Sequence, residues 1–172
     1  MDADLRRTHI LDAISGQKTI ISASSLAKEL NVSRQVIVGD VALLRAQGHE
    51  IIATARGYMI PSSNETNQYL GKIVCQHIPE NTKNELYAIV DLEAVVVNVI
   101  VDHGFYGEIT GCLNLVTRKD VDIFMDKVKS SEIKLLSELT MGIHLHTISC
   151  HNKTHFDEVC NALDLLGYLY NN

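Results

Sequence analysis

A chain of 172 residues, 46% of them hydrophobic, has the apolar content for one full domain or two small ones, which excludes disorder for most of its length. Its 15 Lys and Arg against 21 Asp and Glu give a net charge of −6, a balance that argues against a general nucleic-acid coat protein. The average conceals a division. Residues 1–60 carry seven basic and six acidic side chains, whereas residues 61–172 carry eight and fifteen, so the two parts are expected to meet different partners.

The four cysteines, Cys75, Cys112, Cys150 and Cys160, form no CxxC pair and sit among apolar neighbours, the pattern of buried reduced thiols rather than a disulfide framework or a thiolate zinc cluster. The start, MDADLRRTHI, lacks the basic region and apolar run of a signal peptide. The longest aliphatic run, 94–101, is interrupted by Asn98 and is far short of the ~20 residues of a membrane helix. A cytoplasmic protein without membrane contact is expected.

Leu5, Ile10, Leu11 and Ile14 recur at helical spacing before Gly16, which predicts a short amphipathic helix over 4–15. Ser24 or Ser25 is expected to cap a helix over 26–30, Asn31-Val32 to turn, and Ser33 to cap a longer helix reaching Gln47. In that longer helix Ile37, Val41 and Leu44 form the inner stripe, leaving Arg34, Gln35, Val38 and Arg45 outward. After Gly48, residues 50–54 and 58–60 flank Ala55-Arg56-Gly57 as a small hairpin. Helix, helix-turn-helix and hairpin is the order of a winged helix-turn-helix, in which the second helix of the pair enters the major groove. Ser33, Arg34, Gln35, Arg45 and the hairpin-tip Arg56 are the expected DNA contacts. The segment LAKELNVSRQVIVGDVALLRAQGHEIIATARGYMI closely resembles the winged-helix domain of bacterial repressors.

Pro61 to Asn67, PSSNETN, reads as a linker between a domain over 1–60 and one over 68–172. Beyond it the patterns predict a strand over 69–78, a helix over 82–92, strands over 94–102 and 109–116, a helix over 118–129, a strand over 142–150 and a helix over 153–166. In the last helix Phe156, Val159, Leu163 and Leu166 are expected inward, and residues 168–170 are an edge-strand candidate. The whole is α+β: a winged helix-turn-helix followed by a mixed α/β domain of split β-α-β type.

Six of the eight histidines fall in this second domain. His144 and His146 form an HxH on a strand, so their side chains share one face about 7 Å apart. His77 ends another strand with the parity of Ile73 and Cys75, and Glu85 lies in the first turns of the next helix. Three imidazoles and a carboxylate suit a divalent transition metal such as zinc, nickel, iron or cobalt, although HxH spacing alone also fits two surface histidines.

The segments KIVCQH, ELYAIVDLEAVVVNVIVDHGFYGEI, TRKDVDIFM and LSELTMGIHLHTI resemble the three-histidine domain fused behind a winged helix in the niacin-responsive transcriptional repressors. The resemblance covers nearly the whole chain. It implies that His77, Glu85, His144 and His146 hold a divalent metal, nickel or zinc, and that nicotinic acid acts as corepressor of genes for NAD synthesis and niacin uptake. A homodimer on a palindromic operator follows. His103, Tyr106 and Arg118 are second-tier candidates for contacting the anionic pyridine carboxylate. Two rivals share these residues: a regulator for which the ion itself is the signal, and a metal-dependent enzyme tethered to a DNA-binding module. Against the enzyme, no general base of obvious identity accompanies the HxH and no GxSxG nucleophile motif occurs.

Overall fold

The computed structural model describes residues 2–16, 20–61 and 68–171, which divide between two units, Met1–Glu65 and Thr66–Asn172. Of the expected linker only Pro61 lies among the described residues.

In the first unit α1 (Ala3–Gly16), α2 (Ala23–Glu29) and α3 (Arg34–Ala46) precede a hairpin of β1 (Ile52–Thr54) and β2 (Gly57–Met59). Ile10 and Ile14 of α1, Leu26 of α2, Ile37, Val41 and Leu44 of α3 and Tyr58 of the hairpin close one core. Each such side chain withdrawn from water contributes roughly 1.5–3 kcal/mol. Ser33 caps α3 as expected, its hydroxyl accepting from the Val36 amide at 3.3 Å. The cap of α2 is Ser22, not Ser24 or Ser25: its Oγ accepts from the Ser25 amide at 3.0 Å, and Ala23 at the first helical position is buried. Asp40, on the inner side of α3, is buried and takes Arg6 at 2.6 and 3.2 Å and Arg7 at 3.4 Å, tying α1 to α3. The hairpin is fastened to the helices by a bridge between Ile21 and Tyr58, with N–H···O distances of 3.0 and 2.8 Å. Gly57 is required there, since its φ is +147° and a Cβ would lie 2.2 Å from the Ile21 carbonyl oxygen.

The second unit runs β3 (Tyr69–Gln76), α4 (Thr82–Val90), β4 (Val95–His103), β5 (Gly107–Leu115), α5 (Arg118–Ser130), β6 (Ile143–Cys150) and α6 (Lys153–Leu165), with short 3₁₀ turns at Pro79–Asn81 and Leu136–Thr140. The strands form an antiparallel sheet in the order β3-β6-β4-β5. Both crossovers are split: β6 lies between β3 and β4, and β4 between β5 and β6. One sheet face, bearing Ile73, Cys75, His144, His146 and Ile148, is buried under the helices, where Gly71 leaves room for the Phe156 ring of α6.

Three details differ from the sequence expectation. The first strand stops at Gln76, because Pro79 has no amide to extend the ladder and opens a 3₁₀ turn. Leu166 is exposed, lying beyond the end of α6 as the chain turns through Gly167 at φ +72°. The tail forms a single bridge, Leu169 to Cys75, with Gln76 N to Tyr168 O and Tyr170 N to Val74 O at 2.9 Å each, which covers the free edge of β3.

Candidate functional site

The split topology brings the second unit's chemistry together. Because β6 is inserted between β3 and β4, the connection from β3 to β4 must cross the face of β6, and α4 is that connection. Glu85, on the buried side of α4, is therefore carried over the HxH strand, and His77 follows directly after the strand beside it. Glu85 is completely buried, and the side chains of all three histidines are nearly so.

Glu85 Oε2 lies 2.7 Å from His77 Nε2, and Oε1 lies 3.1 Å from His144 Nε2 and 3.4 Å from His146 Nε2. Each Nδ1 is occupied by a backbone carbonyl: Ile78 O for His77 at 2.9 Å, Gly142 O for His144 at 2.8 Å and Asn98 O for His146 at 2.7 Å. A carbonyl can only accept, so each Nδ1 carries a proton and donates. A neutral imidazole held in this way presents its Nε2 lone pair, here to a carboxylate. Lone pair then faces lone pair unless a cation, either a proton or a metal ion, lies between them.

The electrostatics agree. Burial pushes the Glu85 carboxyl up, but the charge of His146 and hydrogen bonds from His144 and His77 outweigh it and hold Glu85 well below the usual carboxylate range. Burial pushes His77 and His146 down, yet the neighbouring Glu85 carboxylate raises both above an ordinary imidazole. His146 Nε2, 3.4 Å from Glu85, is buried with no hydrogen-bond partner, a lone pair that an ion would satisfy.

Two local features aim these rings. A bulge between Val96 and Asn98 turns the Asn98 backbone toward β6, so that its carbonyl holds His146 while its side-chain oxygen accepts from the Thr147 amide at 3.0 Å. Gly142 has φ +87°, and a Cβ there would lie 2.4 Å from the His77 carbonyl oxygen, so only glycine lets the two histidine-bearing segments approach. Cys75 also belongs to this cluster, which its sequence pattern does not reveal. It pairs with His144 across β3 and β6 and is fully buried. Burial and the Glu85 carboxylate push its thiol up.

In the first unit Ser33, Arg34, Gln35 and Arg45 are all exposed on α3 or its cap, and Arg56 lies half-buried in the hairpin turn, where its amide donates to Thr54 Oγ1 at 3.2 Å.

Residues 71–172 match the 3H domain family, and residues 6–59 match a family described as HTH domain. The chain is 39% identical over 166 residues to the transcription repressor NadR of Bacillus subtilis (strain 168), spanning 95% of this chain and 92% of that protein. It is also 35% identical over 164 residues to the probable transcription repressor NiaR of Thermotoga maritima, spanning 95% and 93%. The chain belongs to the 3H domain family. With its HTH domain it is a DNA-binding transcription repressor of the NadR and NiaR type, not an enzyme. Among the described residues no helix is long and apolar enough to cross a membrane.

The 3H domain also carries a cleft of about 540 Å³ beside His77, with Gln76, Pro79, Ser137, Met141 and Gly142 among its walls. None of His103, Tyr106 and Arg118 lines it. His103 Nδ1 accepts the Phe105 and Tyr106 amides at 3.2 Å each, closing the β4–β5 turn on which Tyr106 is largely exposed. Arg118 grips Asp91 through two bonds of 2.6 Å and lies over the Tyr87 ring at 4.3 Å.

Proposed function

We propose that this repressor controls genes of NAD synthesis and niacin uptake, with nicotinic acid as corepressor and a divalent transition metal held by His77, Glu85, His144 and His146. The observation that carries the metal is the set of three imidazoles, each locked by a carbonyl at Nδ1, whose Nε2 atoms converge on one buried carboxylate. Nickel or zinc suits the donors. When bound, the ion supplies a Lewis-acid position to which a pyridine nitrogen or carboxylate can attach. The resemblance to niacin-responsive repressors supports the effector, and the cleft beside His77 has the volume to admit a small pyridine carboxylate. The roles expected of His103, Tyr106 and Arg118 would require the hairpin turn and the Asp91 pair to rearrange on binding.

In this reading the domains span 1–60 and 68–172 with a linker over 61–67, and the protein acts in the cytoplasm as a homodimer on a palindromic operator. Ser33, Arg34 and Gln35 at the start of α3 meet bases and phosphates, Arg45 and the wing residue Arg56 contact backbone, and affinity falls steeply with salt. Effector binding favours the dimer arrangement whose two α3 helices match the operator, which it can do only by binding that arrangement more tightly.

The test is fluorescence anisotropy on the chain's own upstream DNA, titrated with nicotinate with metal present and again after chelation. Tightening of tenfold or more, equivalent to ~1.4 kcal/mol, that requires the ion is the expected result. A response to metal alone, with nicotinate inert, would make the ion itself the signal and overturn the corepressor.

A further inference from the structure

Cys75 projects from β3 to the same sheet face as His144, its partner in the register. Its sulfur, a Glu85 carboxylate oxygen and a ring nitrogen of His144 lie within 4.8 Å of one another, all three residues buried. Beside them stands the His146 Nε2 that no hydrogen bond satisfies. Donor atoms sharing one ion, each about 2.0–2.3 Å from it, are separated by roughly 3–4 Å in neighbouring positions and by ~4.6 Å only when opposite. The three atoms are thus near enough that side-chain adjustments of about an ångström would bring them to a common ion.

We infer that Cys75 is a further ligand of the ion, adding one sulfur to the three nitrogens and one carboxylate oxygen. This rests on the metal reading of His77, Glu85, His144 and His146 and extends it. On ligation the S–H bond breaks as the sulfur–metal bond forms, and the proton is released to the buffer. Two consequences follow from the donor set. A thiolate selects nickel, cobalt, iron or zinc over magnesium, calcium or manganese. Five protein ligands leave an octahedral ion one open position, enough for a single effector atom.

The experiment uses the reduced full-length chain loaded with Co(II), the bound ion being counted after desalting and the near-ultraviolet absorption recorded. One equivalent of cobalt with a thiolate-to-metal charge-transfer band is expected. The band should vanish in Cys75→Ser while an equivalent of ion still binds, and persist in Cys160→Ser. Cys75→Ala serves if the serine variant does not fold, and sulfur scattering at about 2.3 Å in X-ray absorption of the wild type needs no variant. One bound equivalent without band or sulfur scattering, or a band that survives loss of Cys75, overturns the thiolate ligand and leaves the histidine and glutamate reading standing. A wild type that binds no ion overturns both.

Discussion

The two units solve opposite problems. In the HTH unit the inward residues Ile37, Val41 and Leu44 come from one helix, and the residues proposed to meet DNA lie on the outer side of that helix, at its cap or in the hairpin turn. In the 3H unit His77, Glu85, Asn98 and His146 come from four separate elements, and neither HxH nor Glu85 has meaning without the strand order that superimposes them. A surface that reads a large, regular polyanion can be local. A site that encloses a small ion requires distant segments, and its geometry is as good as the packing behind it.

The sharpest way to break this comparison is Glu85→Gln. Metal affinity measured by calorimetry should fall by more than about 100-fold, since even partners outside the ligand set are worth 10–100-fold, while the helical signal and DNA affinity of the HTH unit in the absence of effector stay unchanged. Loss of both together would show that the units are not separable.

A pH series sharpens it further. Glu85 is held below the ordinary carboxylate value of 4.5, so its contribution is present above that value and is lost as pH falls through the lowered one. His77 and His146 are raised above 6.5, so theirs is full below 6.5 and is lost as pH rises through the raised values. The chelated 3H unit should therefore melt highest at weakly acidic pH and less stably as pH rises past the imidazoles. Metal-loaded protein should show the reverse trend on the same rise, because the ion competes with those protons. Differential scanning calorimetry with and without chelator checks both.

On the other unit, Arg34→Ala should weaken operator binding about equally on all sequences and reduce the slope of log affinity against log salt by about 1, a change that salt-dependent anisotropy reads directly. The smallest effect is at Gly39, exposed on α3, where an added methyl group would meet nothing within 4 Å. Gly39→Ala should stabilise the HTH unit by up to about 1 kcal/mol in thermal melts.

The legibility of the sequence follows the same division. The i, i+4, i+7 stripe of α3 and the cap at Ser33 are short-range signals, and they read directly; among the serines at 22, 24 and 25 the pattern points to the wrong cap because the burial of Ala23 is a tertiary fact. In the second unit strand parity puts His144 with His146 and His77 with Cys75, but does not say which strands adjoin. The pairing of Cys75 with His144 and the bulge that turns Asn98 toward His146 depend on register, which no local pattern encodes. For Arg118 the sequence offers an effector contact or an ion pair, and it does not name the partner, since Asp91 lies 27 residues away.

The position of β6 has a consequence for the order in which the protein is made. It is the last long strand to leave the ribosome, yet it is inserted between β3 and β4, and the tail that covers β3 follows later still. Until residue 150 has emerged, β3 has no partner strand, and His77 and Glu85 face an unfilled seam; the HTH unit, complete by residue 61, has no such dependence. Each newly made chain thus completes its HTH unit well before the strand that closes the 3H sheet is available.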